Sequence, residues 1–298
     1  MPEPARSEVS RVVAAYLAKQ VDRDPPRNIA VAIALDLGVT DEDKLVAISA
    51  ATAFGGLHSL LLDDLVDNKG QGRPWTDVYV AHLLYVLHSD MLQVISPVDW
   101  ASRGRNVAHQ CQIETYRALL DEELNHVGRT STYGSASIVW EKCAPIKSVV
   151  ERILSVTDRY EHKDAFDQAA DAACFALCTL DDMLDWPDDY DRQRFTYPIQ
   201  RAIEAANLQW SPAVDGDVRA RVAHELLYGV THHSLMGEIV RALDRAIGLT
   251  KAISPSLSTL LEASRTSARA SWIRHISYLQ AVEDHLRVNG TARGLVTT

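Results

Sequence analysis

The sequence predicts an all-α protein, built as one bundle of helices. Hydrophobic residues make up 47% of the 298 residues, which is enough for a sizeable core. Gly (14) and Pro (11) are scarce, and this composition favours helices over sheets. Apolar residues recur at helical spacing along most of the chain, and no segment shows the alternation typical of a strand.

The first part of the chain predicts three helices. Segment 7–23 places its apolar residues on one stripe. Segment 28–38 is almost wholly apolar and ends at Gly38, a residue typical of helix C-termini. Segment 41–67 follows Thr40, which is a good N-cap, and carries acids in its first turn.

The same periodicity predicts further helices up to the C-terminus. Several are apolar around most of their circumference, as expected of helices that line the interior of a bundle. With roughly ten helices in all and no linker between them, we expect one domain over residues 1–298. The later predicted helices are 76–95, 98–127, 134–157, 164–186, 197–207, 216–246 and 256–288.

The net charge and the N-terminal sequence indicate which binding partners and which cellular location to expect. The formal net charge of −10 argues against nucleic acid, since phosphate binding needs a basic surface. The N-terminus lacks an apolar signal core, and no run of about 18 apolar residues suggests a membrane span. We therefore expect a cytoplasmic protein without a membrane span.

The four cysteines do not form a zinc motif. They are Cys111, Cys143, Cys174 and Cys178, and no CxxC pair occurs. Cys174 and Cys178 are four residues apart in an apolar helical run, which predicts buried reduced thiols.

Two acidic motifs of the form DDxxD carry the chemical signal. Each continues an apolar helix, and four-residue spacing places two carboxylates on one helix face, one turn apart. A single such motif is typical of a solvated surface, but the repetition after apolar runs favours a binding site. The first motif contains Asp63, Asp64 and Asp67, and the second contains Asp181, Asp182 and Asp185, with Asp189 one turn further on.

Carboxylates that extend an apolar surface need neutralisation, and hard divalent cations supply it. Mg²⁺ prefers oxygen ligands and is often held by one or two carboxylates together with substrate phosphate. The pattern therefore predicts that both motifs bind Mg²⁺ and that the metal binds a diphosphate. A hydrocarbon tail would occupy the apolar interior, and the metal would stabilise the departing diphosphate.

These residues resemble the class I isoprenoid synthase superfamily, and within it the trans-isoprenyl diphosphate synthases. The segment SLLLDDLVD (59–67) is similar to that family's first aspartate-rich region, and segment 179–203 is similar to its second region, QxxDDxLD followed by GKxTxP. The resemblance implies an all-α bundle around a central apolar cavity, three Mg²⁺ ions per site and a homodimer. It also implies that Asp63, Asp67, Asp181 and Asp185 bind metal.

The resemblance assigns further residues to the diphosphate. Lys142, in EKCAPI, matches the Lys of the family's KTA segment. Arg194 stands where the family has the Lys of GK, followed by Thr196 and Pro198 of TxP. Arg73, which remains after the first motif, is a further candidate diphosphate ligand.

The chain departs from the family where a second substrate would bind. The family follows its first motif with a segment like RRGKP, but this chain has GQGRP at 70–74. The nearest match to the early GGKRxRP segment, at 24–29, keeps one Arg and no Lys. Holding two diphosphates side by side requires a dense cationic site, because the two anions repel each other. We therefore expect a terpene synthase (cyclase) that ionises one C10–C25 allylic isoprenyl diphosphate.

Two alternatives remain open. One is a condensing isoprenyl diphosphate synthase (prenyltransferase) with an altered isopentenyl site. The other is a catalytically silent subunit that partners an active homologue.

Three histidines also invite interpretation. His58 precedes Asp63 by five residues, and either helps to set the depth of the pocket or is a hydrogen-bonded core residue. For His232, His233 and Glu238 the sequence favours a structural or surface role over a metal site, because no third ligand has matching spacing.

Overall fold

A computed structural model of the chain describes residues 29–67, 74–97, 109–110, 112–118, 120, 144–208 and 216–288. In this part of the chain every regular element is a helix, so the all-α prediction is confirmed. The α-helices are α1 (Ile29–Asp36), α2 (Glu42–Asp67), α3 (Pro74–Ile95), α4 (Ala144–Val156), α5 (Lys163–Asp191), α6 (Tyr197–Ala205), α7 (Gly216–Leu227), α8 (Val230–Thr250) and α9 (Pro255–Val288). A short 3₁₀ helix, Tyr160–His162, precedes α5, and residues 112–118 are also helical.

Two packed groups of helices form most of the described core, and α6 and α7 form a further group with the end of α5 and with α8. In the first, α1 to α4 bury aliphatic residues such as Ile33, Ile48, Leu92 and Ile153. In the second, α5, α8 and α9 meet around Ile239 and other aliphatic side chains. Helix α4 packs against both α2 and α5 and thereby joins the two groups.

The predicted helix boundaries differ from the structure in two informative places. The segment predicted as one helix over 216–246 is two helices, because the backbone leaves the helical conformation at Gly229 (φ −84°, ψ 179°). Helix α5 was predicted to end at residue 186 but continues through Pro187 to Asp191. The predicted helix 7–23 lies outside the described residues, as do most of 98–127 and the start of 134–157.

Side chains satisfy the carbonyls that the break at Gly229 exposes. The ring of His232 donates from Nδ1 to the carbonyl oxygen of Leu226 at 2.8 Å. The ring of His275 donates from Nε2 to the carbonyl oxygen of Leu227 at 2.6 Å, and the two rings stack 4.3 Å apart. The last carbonyls of a helix need such partners when they are buried, so both histidines have a structural role.

Two helices satisfy the length and composition of a membrane span. They are Glu42–Leu62 in α2 and Thr76–Ile95 in α3. Core helices of soluble proteins satisfy the same test, and here α2 and α3 pack on each other through Leu57, Leu61 and Leu84. The two segments are therefore only weak support for a membrane span.

A buried histidine connects the first three long helices. His88 on α3 donates from Nδ1 to the carbonyl oxygen of Ala51 on α2, at 2.8 Å. Burial lowers its pKa to about 4, so the ring is neutral at pH 7. Its Nε2 lies 3.0 Å from the hydroxyl oxygen of Ser148 on α4, and that hydroxyl donates to the carbonyl oxygen of Pro145 at 2.7 Å. Gly55 on α2 leaves the space that this ring occupies.

We expect Gly55→Ala to destabilise the protein and its neighbour Gly56→Ala to stabilise it. A Cβ at Gly55 would lie 2.8 Å from Nδ1 of His88 and 2.9 Å from Cβ of Pro145, whereas a Cβ at Gly56 meets nothing within 4 Å. Overpacking costs about 1–3 kcal/mol, while Gly→Ala at an open helix position gains about 0.5–1 kcal/mol. Urea unfolding of the two variants measures both effects. Equal changes in the free energy of unfolding would contradict the close packing at Gly55.

Asp36, at the end of α1, binds the start of α9. Its carboxylate accepts hydrogen bonds from the Ser254 hydroxyl at 2.6 Å, from the Ser256 N–H at 2.9 Å and from the Ser256 hydroxyl at 2.9 Å. Burial acts to raise the pKa of Asp36, but the hydrogen bonds from Ser254 and Ser256 outweigh it, and the pKa is lowered.

We expect Asp36→Ala to lower the free energy of unfolding at pH 7 by about 1 kcal/mol, as for loss of a helix cap. Because the folded pKa is depressed, this stabilisation is fully present above the unfolded pKa of 3.8 and disappears as the pH falls through the folded value. Unfolding of Asp36→Ala and wild type between pH 7 and pH 3 measures the difference. A difference that stays constant over this range would show that the charge of Asp36 does not contribute.

Candidate active site

The second acidic motif lies in the C-terminal half of α5. Asp181 and Asp185 are one turn apart and exposed, and Asp182 between them is half-buried. The apolar run that precedes the motif in the sequence therefore does not bury Asp181 and Asp185. The periodicity of α5 explains this, because the buried side of this part of the helix carries Thr179, Trp186 and Asp189 instead.

Asp189 is the carboxylate of this region that the structure buries. It lies one turn beyond Asp185, because α5 continues past Pro187. Nη1 of Arg194 lies 3.5 Å from its Oδ1. Burial raises the pKa of Asp189 to about 6; Arg194 acts to lower it, and the negative charge of Asp185 raises it further. The end of α5 therefore concentrates negative charge, which a cation would relieve.

The turn that follows α5 brings Arg194 back to Asp189. The N–H of Arg194 donates to the carbonyl oxygen of Asp189 at 2.7 Å. Gln193, just before it, has φ of 60°, a left-handed conformation that favours glycine. The family pattern GKxTxP has Gly at this position when Arg194 is matched to its Lys. The binding of diphosphate by Arg194 stays a prediction.

Helix α6 begins directly after this turn. Thr196 is its N-cap in an extended conformation, and Pro198 lies in its first turn, where proline is favoured. The Thr196 side chain is 5% exposed, and its Oγ1 has no hydrogen-bond partner among the residues that the structure describes. A buried hydroxyl without a partner is costly, and a hydrogen bond from a ligand or a water molecule would remove that cost.

The first acidic motif lies in the last turns of α2. Asp63, Asp64 and Asp67 belong to this helix, but their side chains lie outside the described part of the structure. The same holds for Arg73 and Lys142, whose backbones are also outside it. Helix α4 packs against both α2 and α5, so the two motif-bearing helices share a neighbour. The convergence of the two motifs on one metal site stays a prediction.

His58 is a hydrogen-bonded core histidine. Its side chain is 2% exposed, and its Nδ1 donates to the carbonyl oxygen of Ala81 at 2.8 Å. Burial lowers its pKa, so it is neutral at pH 7. The rings of Tyr85 and Tyr116 lie 5.7 and 6.2 Å away. The structural interpretation is confirmed, and a role in pocket depth stays a prediction.

A polar network behind the second motif was missed in the sequence. The Tyr197 hydroxyl donates to Oε2 of Glu238 at 2.9 Å, and Arg201 lies 3.3 Å from Oε1 of the same carboxylate. The Tyr197 ring also contacts Phe175 of α5, with ring centroids 5.8 Å apart. The sequence did contain one indication of this network. Tyr197 and Arg201 are four residues apart, which places them on the same face of a helix. Glu238, considered above with His232 and His233, thus joins α6 to α8.

The donor chemistry of the second motif fits Mg²⁺. Carboxylate oxygens are its preferred ligands, and two exposed carboxylates one turn apart leave room for its water ligands. Among the residues that the structure describes, no group of three or more His, Cys, Asp or Glu is close enough together to hold a metal ion. A Mg²⁺ ion at Asp181 and Asp185 would therefore need further ligands from the first motif, substrate or water.

Comparison with known proteins finds similarity in structure and none in sequence. No family model and no curated protein matches the sequence. Geranylgeranyl pyrophosphate synthase of Corynebacterium glutamicum, solved with isoprenyl diphosphate and magnesium, superposes with a TM-score of 0.63 at 14% identity, over 89% of this chain and 98% of that one.

Two further synthases superpose over most of their length. Decaprenyl diphosphate synthase of Rhodobacter capsulatus gives a TM-score of 0.60 at 15% identity, over 87% of this chain and 94% of that one. Octaprenyl pyrophosphate synthase of Helicobacter pylori gives 0.57 at 15% identity, over 88% and 99%. The chain has the all-α fold of the isoprenyl diphosphate synthases, as its aspartate-rich motifs predicted.

Proposed function

We propose that this protein is a Mg²⁺-dependent class I terpene synthase, which ionises one allylic isoprenyl diphosphate of C10–C25 and cyclises the resulting cation. The observation that carries the proposal is the end of α5, where Asp181, Asp182, Asp185 and the buried Asp189 lie on one continuous helix and Arg194, in the turn that follows, pairs with Asp189. This arrangement, in the fold of synthases that act on isoprenyl diphosphates, supports an ionising site.

Each part of the site has a role in this proposal. Asp181 and Asp185, with Asp63 and Asp67 of the first motif, bind Mg²⁺, which neutralises the diphosphate when bound. Arg194 contacts the diphosphate from the turn after α5, and Asp189 holds its guanidinium in place. Lys142 and Arg73 are the further cationic contacts. Positive charge at the departing oxygens lowers the barrier to breaking the carbon–oxygen bond.

The second candidate is a condensing isoprenyl diphosphate synthase. The three structural neighbours reported above are such synthases, and this favours condensation. The sequence 70–74, GQGRP, favours a single substrate, because it lacks the arginines expected for a second diphosphate. We propose cyclisation on that ground. The cytoplasmic single-domain homodimer expected from the sequence belongs to the same proposal.

Incubation with Mg²⁺ and individual allylic diphosphates from C10 to C25, with and without isopentenyl diphosphate, tests the proposal. We expect a hydrocarbon or alcohol from one allylic diphosphate alone, detected by gas chromatography and mass spectrometry, and none when EDTA replaces Mg²⁺. A longer diphosphate that forms only with isopentenyl diphosphate would establish condensation. Absence of any product under all conditions would favour a silent subunit.

We expect Asp181→Asn to lower turnover at least about 100-fold, because a carboxylate that binds metal contributes several kcal/mol to the transition state. Circular dichroism should be unchanged, since Asp181 is exposed. The matched control is Asp164→Asn, another exposed carboxylate on α5 at its opposite end, which should retain full turnover. Normal turnover of Asp181→Asn, or equal losses in both variants, would refute metal binding at the second motif.

A further inference from the structure

Cys174 and Cys178 lie one turn apart on α5, immediately before the second acidic motif. Their sulfur atoms are 3.7 Å apart, and neither cysteine forms a disulfide. Cys174 is 6% exposed and Cys178 is half-buried. Cys178 precedes Asp182 by one helical turn. No step of the proposed reaction uses either thiol.

Helix geometry keeps these thiols from forming a disulfide. Residues four apart on a helix have Cβ atoms about 5–6 Å apart, whereas a disulfide requires about 3.5–4.5 Å. Oxidation of the pair would therefore require α5 to unwind. Because α5 packs against α4, α6 and α8 along its length, this unwinding would disrupt the core.

An atom bound between the two sulfurs would link the cysteines without unwinding α5, because no direct sulfur–sulfur bond is needed. A metal or metalloid with bonds to sulfur of about 2.3 Å and an angle near tetrahedral spans two sulfurs about 3.8 Å apart. This span agrees with the 3.7 Å between the two sulfur atoms. Soft thiolates select thiophilic ions over Mg²⁺, whose preferred ligands are oxygens. The pair is therefore spaced for a ligand different from that of the neighbouring carboxylates.

We propose that Cys174 and Cys178 form a dithiol site for a thiophilic metalloid or metal, of which trivalent arsenic is the simplest probe. An arsenical reacts first at the more accessible Cys178, and Cys174 then closes the ring. With phenylarsine oxide, two As–S bonds form, the arsenic–oxygen bond breaks, and the two thiol protons leave with the oxygen as water. Arsenic remains trivalent, so no oxidant or reductant is needed.

The test uses the full chain with Cys111→Ser and Cys143→Ser, so that only this pair can react. We expect one phenylarsenic group per chain by intact mass, and both thiols protected from alkylation. Because the second bond forms within the molecule, the adduct should resist removal by a monothiol at least about 100-fold better than an adduct at one thiol. A dithiol should remove it.

A variant with the same number of thiols provides the control. Cys178→Ser with Leu184→Cys, in the same background, keeps two thiols on α5 but separates them by about 15 Å. Leu184 is 69% exposed, so a cysteine there is accessible to the reagent. We expect this variant to bind arsenic only in a form that a monothiol removes.

Three results would overturn the proposal. They are the absence of an adduct on the folded Cys174–Cys178 pair, equal monothiol resistance in the control variant, and formation of a Cys174–Cys178 disulfide by diamide with circular dichroism unchanged. The readout is the adduct and not turnover. Failure of this proposal is therefore distinguishable from failure of the proposed terpene synthase function.

Discussion

The structure depends on α5, because this helix both packs in the core and bears the aspartates of the second acidic motif. Its buried side packs against α8 through small and aliphatic residues such as Ala169 and Ala176. Its other side carries Asp181 and Asp185 into an exposed position. If α5 stopped at Pro187, Asp189 and Arg194 would lose their present geometry. The chemistry proposed for this end of the molecule thus depends on one helix that tolerates an internal proline.

Buried polar groups fix the positions of the helices relative to one another, because apolar packing alone would allow several arrangements. Aliphatic packing is non-directional, but a buried hydrogen bond fixes one neighbour against another. His88 connects α2, α3 and α4, His232 closes the end of α7, and Glu238 joins α8 to α6. Each of these contacts joins two helices through a side chain that is wholly or partly buried. None of them touches the acidic motif.

Most of the fold could be predicted from the sequence, because long apolar periodicity is a strong local signal. The break at Gly229 was missed, since the apolar period continues across it and the carbonyls it exposes are satisfied by His232 and His275. Continuation of α5 past Pro187 was also missed, because proline usually ends a helix. At the site, the spacing of Asp181 and Asp185 was enough to identify them as candidate metal ligands. Their exposure to solvent, however, depends on which side of α5 packs against α8. No local pattern specifies that choice of side.

The contact between Asp36 and the start of α9 has a consequence for how the molecule comes apart. Residues more than 200 positions apart in the chain meet there, so the two ends of the described core close on each other. If α1 frays, the serines at the start of α9 lose the Asp36 carboxylate. If the first turns of α9 fray, Asp36 loses its hydrogen-bond donors. Amide hydrogens in both segments should therefore exchange with solvent as one cooperative unit, although the segments belong to the first and the last helix of the described chain.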